Sequence, residues 1–298
     1  MTYKILALLI VFFIFFTGCE NTSNPVVVDG LKGYIYYSTG GEVYRMKLSD
    51  QTTAKLFTNA RQPDVTADGT ILAVETYPIT KIIYTNLTGA DRQTLVEGVD
   101  YKGPVHRQHM NMPRISKDQK YVVYEGDNVY NPNSYVVDAN DGELVAVIGD
   151  YDTRQPMISP TWAPDGSIFV QGWTSMNNGI YKINPEFTAI ERIDPDLSNV
   201  SAPSVSPDGS TIAFIRNGEV WTMNIDGSNP EQLYSGLGDF NLVTWSPDSK
   251  FIATVRKGKM FIISIAKMEV LEIEKTHYIG DGSTLTWRYW FNKALKEY

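Results

Sequence analysis

The stretch APSVSPDGSTIAFIRNGEVWTMNIDGSNPEQLY, residues 202–234, alternates runs of β-forming residues with turn signals. Its first turn is Ser206-Pro207-Asp208-Gly209, where proline presets φ and glycine accepts a positive φ. Asn217-Gly218 and Asp226-Gly227 are favoured two-residue hairpin turns, and each is followed by another β-forming run. The stretch therefore predicts a four-stranded antiparallel meander.

The first of these turn signals recurs along the chain. Related signals are Thr66-Ala67-Asp68-Gly69, Ser116-Lys117-Asp118-Gln119, Ala163-Pro164-Asp165-Gly166 and Ser246-Pro247-Asp248-Ser249. With Asp208 included, their aspartates lie 50, 47, 43 and 40 residues apart. Such a spacing is typical of the blades of a β-propeller. The repeat predicts five complete blades.

A sixth blade is divided between the two ends of the chain. Residues 33–38, 42–48 and 53–57 read as its last three strands, and Thr284-Leu285-Thr286-Trp287 reads as its first. Pairing that C-terminal strand with the N-terminal three closes the ring and removes the open sheet edges. The sequence thus predicts an all-β fold, a six-bladed β-propeller of four-stranded antiparallel blades. An alternative uses residues 26–30 as the first strand and leaves the C-terminal strand without a blade.

The pattern Ser-Pro-Asp-Gly-Ser-x-Ile-Ala-Phe at residues 206–214 is followed by Val-Trp-x-Met-Asn-Ile-Asp-Gly-Ser at residues 220–228. These motifs resemble the WD40-like (PD40) repeat of the TolB-type β-propeller family. The resemblance covers nearly all of the chain after the leader and is strongest over residues 157–274. It implies the propeller fold, which hosts interaction platforms, peptidase gates and enzymes alike. TolB itself carries an additional N-terminal α/β domain, which we do not expect here, so TolB's own role is not implied.

The N-terminus reads as a targeting segment. Lys4 precedes an apolar run of twelve residues, 5–16, and Phe16-Thr17-Gly18-Cys19 resembles a lipoprotein processing site around the only cysteine. We therefore predict a signal peptide at residues 1–18, a lipidated Cys19 with a tether to residue 31, the propeller at 32–290 and a tail at 291–298. The predicted location is the bacterial cell envelope, with the membrane contacted through the lipid. Ordinary secretion, or an uncleaved anchor, is the alternative.

Composition restricts the partners. The net charge of −8 disfavours nucleic acid and anionic lipid surfaces. A single cysteine permits no internal disulfide, so stability comes from buried sheet faces. The chain has no Gly-x-Ser-x-Gly nucleophile motif and no glycine-rich phosphate loop. We predict a monomeric propeller that needs no cofactor.

All three histidines fall in connections assigned to one face of the propeller. His106 and His109 lie in the connection at 98–112, and His277 lies in the one at 275–283. Three imidazoles could hold a divalent metal, and oligogalacturonate lyases are similar in carrying metal-binding histidines at a propeller channel. The alternative function is therefore a metal-dependent carbohydrate lyase or hydrolase. Against it, the two connections are two blades apart, and solvent-facing loop histidines would give the same pattern.

The same face carries arginines and aromatic residues that suit a binding rim. Arg61, Arg114 and Arg154 stand where the chain enters blades, and a guanidinium can receive a carboxylate through paired hydrogen bonds. The aromatic members are Tyr77, Tyr130, Tyr151 and Trp173, which could stack on sugars or anchor a protein. Arginine pairing with turn aspartates and aromatic packing between blades are the alternatives. We expect a noncatalytic module that binds an envelope protein or saccharide.

Overall fold

A computed structural model describes residues 31–77, 79–98, 109–128, 131–149, 156–173, 178–194, 196–234, 238–274, 276–280 and 283–289. These ranges contain twenty-four β-strands and no helix. Accordingly, they include no helical segment with the length and apolar character needed to cross a membrane. The predicted signal peptide, Cys19 and the tail at 291–298 lie outside the described residues.

The strands form six antiparallel sheets of four, which are the blades of a propeller. Blade 1 contains β1 (Tyr34–Thr39), β2 (Glu42–Lys47) and β3 (Thr52–Thr58). Blade 2 contains β4 (Ala60–Val65), β5 (Ile71–Glu75), β6 (Lys81–Thr85) and β7 (Gln93–Glu97). Blade 3 contains β8 (His109–Ile115), β9 (Tyr121–Asn128), β10 (Asn131–Asp138) and β11 (Leu144–Ile148).

Blade 4 contains β12 (Met157–Trp162), β13 (Ile168–Trp173), β14 (Asn178–Ile183) and β15 (Ile190–Arg192). Blade 5 contains β16 (Val200–Val205), β17 (Thr211–Arg216), β18 (Glu219–Asn224) and β19 (Glu231–Tyr234). Blade 6 contains β20 (Phe240–Trp245), β21 (Phe251–Arg256), β22 (Lys259–Ser264) and β23 (Val270–Ile273). The last strand, β24 (Leu285–Arg288), is the inner strand of blade 1.

The ring closes where the two ends of the chain meet. Strand β24 pairs antiparallel with β1, with Leu285 opposite Tyr37 and Arg288 opposite Tyr34. The Trp287 side chain is 1% exposed, and its indole N–H donates to the Lys32 carbonyl over 2.9 Å. The predicted six-bladed fold and its closure are confirmed. The alternative, which left the C-terminal strand without a blade, is wrong, because β24 lies beside β1; residues 26–30 themselves lie outside the described residues.

The repeated turn signal has a local cause. The Ser206 hydroxyl donates to the Asp208 carboxylate over 2.7 Å, and the Ser210 amide donates to the same oxygen over 3.0 Å. The Ser116–Asp118 and Ser246–Asp248 pairs repeat the hydroxyl contact at 2.7 Å. The aspartate thus closes each turn on its own backbone, which is the behaviour expected of an Asx turn.

The apolar core lies between blades. Phe169 and Ile180 of blade 4 pack with Ile212 and Phe214 of blade 5 in one buried cluster. The remaining clusters are built in the same way, and the one that contains Trp287 joins blade 6 to blade 1. Burying apolar area of this kind is the main favourable contribution to folding. Because each blade is held on two sides, the inner strands are fixed around a central channel.

Candidate functional site

The inner strands of the six blades enclose a cavity of about 600 Å³ in the central channel. One equivalent position from each inner strand lines it, and the six residues, from blade 1 to blade 6, are Thr286, Asp64, Arg114, Thr161, Ser204 and Thr244. Below, these six residues are called the channel ring. Each is a hydroxyl-bearing or charged residue, so this level of the channel is polar throughout.

A recurring bulge places four members of the ring. In blades 2 to 5, the pairing of the inner strand is interrupted and resumes at Asp64, Arg114, Thr161 and Ser204. The interruption coincides with a residue of positive φ followed by proline; the four pairs are Gln62-Pro63, Met112-Pro113, Ser159-Pro160 and Ala202-Pro203. A bulge re-aims the side chains that follow it, and proline has no N–H to contribute to the ladder. The residue after each proline is thereby placed in the channel wall.

Asp64 is held by donors from three blades. Its carboxylate accepts from the backbone amides of Val65 and Ile115, both over 3.0 Å. The Arg288 guanidinium donates to it over 3.1 Å and the Thr286 hydroxyl over 3.3 Å. The Asp64 residue is 3% exposed. Buried charges require such a set of donors, so Asp64 acts as a link between the inner strands of blades 1, 2 and 3.

Arg114 has a different environment. Arg114 lines the channel, and within the described part of the chain its guanidinium donates to the Pro113 carbonyl over 3.3 Å. Burial lowers the pKa of Arg114 below its usual range; the charge of Arg288 acts in the same direction, and that of Asp64 opposes it. The group remains charged, since arginine keeps its proton in proteins. Arg114 is thus a partly desolvated cation with most of its donors unused by the described residues.

Arg61 lies at the opposite end of its strand from the turn and joins two blades. It donates to the Met110 carbonyl of blade 3 over 3.3 Å, while its buried Nε has no partner among the described residues. Burial lowers its pKa, opposed by the charge of Glu125. Neither Arg61 nor Arg114 forms an ion pair with a turn aspartate within the described ranges. Arg61 is a link between blades with an unused donor, whereas Arg114 lines the cavity in the channel.

The predicted rim aromatics are described in part. Tyr77 is 74% exposed in the connection between β5 and β6, and its carbonyl accepts from the Asn59 amide over 2.9 Å. Trp173 ends β13, but its side chain lies outside the description. The other three predicted rim residues, Tyr130, Tyr151 and Arg154, lie outside the described residues altogether. A binding role for these four residues at the rim therefore stays a prediction.

The histidines have separate surroundings. The Nδ1 atom of His277 lies 3.1 Å from the Tyr37 hydroxyl, and its ring packs on Tyr44 at 4.3 Å between centroids. His109 is the first residue of β8, which corrects the expectation that it lies in a loop; His106 lies outside the description. Among the residues that the structure describes, no three His, Cys, Asp or Glu side chains are grouped to hold a metal. No observation on these residues therefore favours the lyase or hydrolase alternative.

Sequence reasoning missed most of the channel ring. Among its members, Arg114 was predicted as a rim residue, whereas Asp64 was not predicted as a site residue. Arg288, which pairs with Asp64 from outside the ring, was not predicted either. A signal was nonetheless present, because Asp64, Arg114, Thr161 and Ser204 each follow an inner-strand proline. That repeat would have identified the channel wall.

No family model matches the sequence. Lactonase drp35 of Staphylococcus saprophyticus is 23% identical over 112 residues, which cover 36% of this chain and 35% of the lactonase. The chain thus spans about a third of that curated protein. TolB from Acinetobacter baumannii superposes with a TM-score of 0.66 at 16% identity, covering 86% of this chain and 66% of TolB. A chain of the nidogen/laminin complex superposes with a TM-score of 0.63 at 12% identity, covering 80% of this chain and 91% of the chain from the complex. At these identities the likeness is one of architecture, and the chain has the fold of the TolB-type propellers.

Proposed function

We propose that this protein is a noncatalytic binding module of the bacterial cell envelope, which captures a protein partner on one face of its propeller. The observation that carries the proposal is the position of three exposed apolar side chains. Tyr77, Ile79 and Tyr278 are 74%, 47% and 68% exposed. Tyr77 and Ile79 lie between the second and third strands of blade 2, and Tyr278 lies between the outer strand of blade 6 and the inner strand of blade 1. In a propeller, both kinds of connection open on the same face.

Exposed tyrosines of this kind suit a protein interface. Tyrosine is enriched at the centre of interfaces because it combines a large apolar area with a hydroxyl group. The rigid scaffold supports the same role, since the Tyr77 backbone is fixed through Asn59 and the Tyr278 ring packs against Gly258. A surface that is already ordered loses little conformational entropy when it binds. The predicted rim residues Arg154, Tyr130, Tyr151 and Trp173 would extend this surface on the same face.

The channel supports a noncatalytic assignment. Asp64 is the one carboxylate among the described residues that line the cavity, and its oxygens accept from four donors. Glycoside hydrolysis requires two carboxyl groups, one of them able to take or give a proton. Asp64 has no second carboxylate beside it among these lining residues, and its donors hold it in the wall as a link between strands.

Affinity capture from envelope extracts tests the proposal. The double variant Tyr77→Ser/Tyr278→Ser should lose a partner that the wild-type protein retains, because both apolar anchors are removed. Met268→Ser is the matched control: Met268 is 51% exposed but lies between β22 and β23, on the opposite face. Equal recovery of each captured protein by the wild type and the double variant would refute the proposed surface.

The anchor is tested separately. We propose that Cys19 carries the lipid that holds the propeller at a membrane, on the strength of the Phe16-Thr17-Gly18-Cys19 motif. Stable anchoring depends on the acyl chains, so Cys19→Ser should move the protein from the membrane fraction to the aqueous one. A variant that still sediments with membranes would refute lipid anchoring and leave the proposed binding surface unaffected.

A further inference from the structure

The channel is positively charged although the whole protein is acidic. Among the described residues that line the cavity, Arg114, Lys117 and Arg288 are cationic and Asp64 is the single acid. The chain as a whole carries a net charge of −8. A cleft lined by one sign of charge concentrates ligands of the opposite sign. The cavity is therefore suited to an anion.

The charges of Asp64 and Arg288 are already committed to each other. Arg288 donates to Asp64 over 3.1 Å and also to the Val65 carbonyl, so the pair is fixed in the wall between blades 1 and 2. Asp64 in turn accepts from two backbone amides and a hydroxyl. Four donors on one carboxylate leave little capacity for a cation in the channel. This pair consequently adds a rigid polar wall without adding a free charge.

Arg114 is a cation without such a commitment, and it is half-buried whereas Lys117 is exposed. A guanidinium has five N–H donors in a fixed fork, and within the described ranges Arg114 uses one of them on the Pro113 carbonyl. Its partial desolvation makes an unpaired state costly, and a ligand that supplies acceptor oxygens relieves that cost. The fork matches a carboxylate through two parallel hydrogen bonds.

The wall formed by blades 4, 5 and 6 offers hydroxyl groups. Thr161, Ser204 and Thr244 line the cavity and are half-buried. Their hydroxyl groups have no hydrogen-bond partner among the residues that the structure describes, whereas the Thr286 hydroxyl is engaged by the Pro63 carbonyl over 2.8 Å. Hydroxyl groups both donate and accept, so they suit the neutral polar part of a ligand.

We infer that the central channel binds a small hydroxylated carboxylate, with its carboxylate on Arg114 and its hydroxyl groups on Thr161, Ser204 and Thr244. A volume of about 600 Å³ is in the range of small-molecule sites. Because the site combines a cation with three hydroxyl groups, it favours a carboxylate that carries hydroxyl groups of its own over inorganic phosphate. This site goes beyond the proposed protein-binding face, because it lies in the channel wall and shares no residue with Tyr77, Ile79 or Tyr278.

The test uses glucuronate and glucose, two probes of similar shape that differ in the carboxylate. Titration calorimetry on the processed protein should show glucuronate binding about 10- to 100-fold tighter than glucose, the gain expected of a charge-assisted pair. The Trp162 indole N–H, which donates to the Arg114 carbonyl over 2.9 Å, provides a resonance that should shift during the titration. Inorganic phosphate should bind more weakly than glucuronate.

Variants locate the site. Arg114→Met should remove the preference for glucuronate over glucose, and Arg114→Lys should keep part of it because the charge remains without the fork. Lys250→Met is the control, since it removes one positive charge at an exposed turn outside the cavity. If Arg114→Met does not fold, Arg114→Lys and Thr161→Val decide, and each should weaken glucuronate binding.

Three results would overturn the inference: glucuronate binding no tighter than glucose, phosphate binding as tight as glucuronate, or an undiminished glucuronate preference in Arg114→Met. These outcomes are independent of the protein-capture experiment. Tyr77→Ser/Tyr278→Ser should retain glucuronate binding, and Thr161→Val should retain the captured partner.

Discussion

Replacing Trp287 by alanine should destabilise the propeller at its closure. Trp287 is 1% exposed, stacks on Phe251 with ring centroids 6.2 Å apart, and donates its indole N–H to the Lys32 carbonyl over 2.9 Å. Truncating a buried tryptophan costs about 3–5 kcal/mol. Leaving the Lys32 carbonyl without its donor adds about 1 kcal/mol. We therefore expect the free energy of unfolding to fall by about 4–6 kcal/mol.

Thermal and urea denaturation followed by circular dichroism measure that loss. For a chain of this size, 1 kcal/mol corresponds to a change in Tm of roughly 2 °C, so Tm should fall by about 10 °C. Native-state hydrogen exchange gives the location: amides of β1 (Tyr34–Thr39) that pair with β24 should exchange faster in the variant.

Trp245→Ala is the matched control. Trp245 is 6% exposed and donates its indole N–H to the Ser204 carbonyl of blade 5 over 2.9 Å, so it makes the same kinds of contact away from the closure. It should lower stability by a comparable amount without selectively exposing β1. A Trp287→Ala loss below about 1 kcal/mol, far under the cost of truncating a buried tryptophan, would refute our reasoning. So would equal exchange of the β1 amides in both variants.

The remaining predictions concern a turn glycine, a turn carboxylate and the histidines. In urea denaturation, Gly227→Ala should lower the free energy of unfolding by about 1–3 kcal/mol more than Gly41→Ala. Both glycines have positive φ, but an added Cβ at Gly227 would lie 1.8 Å from the Ile193 carbonyl oxygen, whereas nothing lies within 4 Å of one at Gly41. Equal losses in the two variants would contradict the close contact at Gly227. The Ser206 hydroxyl and the Ser210 amide hold the pKa of Asp208 below its usual range, so its stabilising contribution is present above the unfolded-state pKa and is lost as the pH falls through the lower folded-state pKa. When the pH is lowered below about 4, the free energy of unfolding should therefore fall less in Asp208→Asn than in the wild type. Identical pH profiles of stability would count against a stabilising role of the Asp208 carboxylate. Metal analysis of the purified protein should find no bound ion. Stoichiometric zinc or manganese that is lost in His106→Ala/His109→Ala would refute the noncatalytic binding module and favour the metal-dependent lyase or hydrolase.

The blade repeat could be predicted because its causes are local. Ser206 and Asp208 are two residues apart, and their hydrogen bond closes a turn whose chemistry is visible in the sequence. The closure could be predicted for a related reason: the Thr-Trp of Thr286-Trp287 repeats that of Thr161-Trp162, and the ring lacked one inner strand. Both inferences depend on short patterns and on the need to cover sheet edges.

The site was predicted less well, because the direction of a strand side chain depends on register. A shift of one residue moves a side chain to the other face of the sheet, and the bulges at Gln62 and Met112 change the register within the inner strands. Arg114 was predicted for the binding rim, and the structure shows that it lines the cavity in the channel. His109 was expected in a connection and begins β8.

By itself, then, the sequence determined the β-meander, its period, the number of blades and the identity of the closing strand, because turn chemistry and strand alternation act over a few residues. The tertiary structure alone decided which side chains meet in the channel. Asp64 and Arg288 are 224 residues apart in the chain and 3.1 Å apart in space. Such a contact depends on ring closure and on a bulge in each of several strands, and no local pattern encodes their combined result.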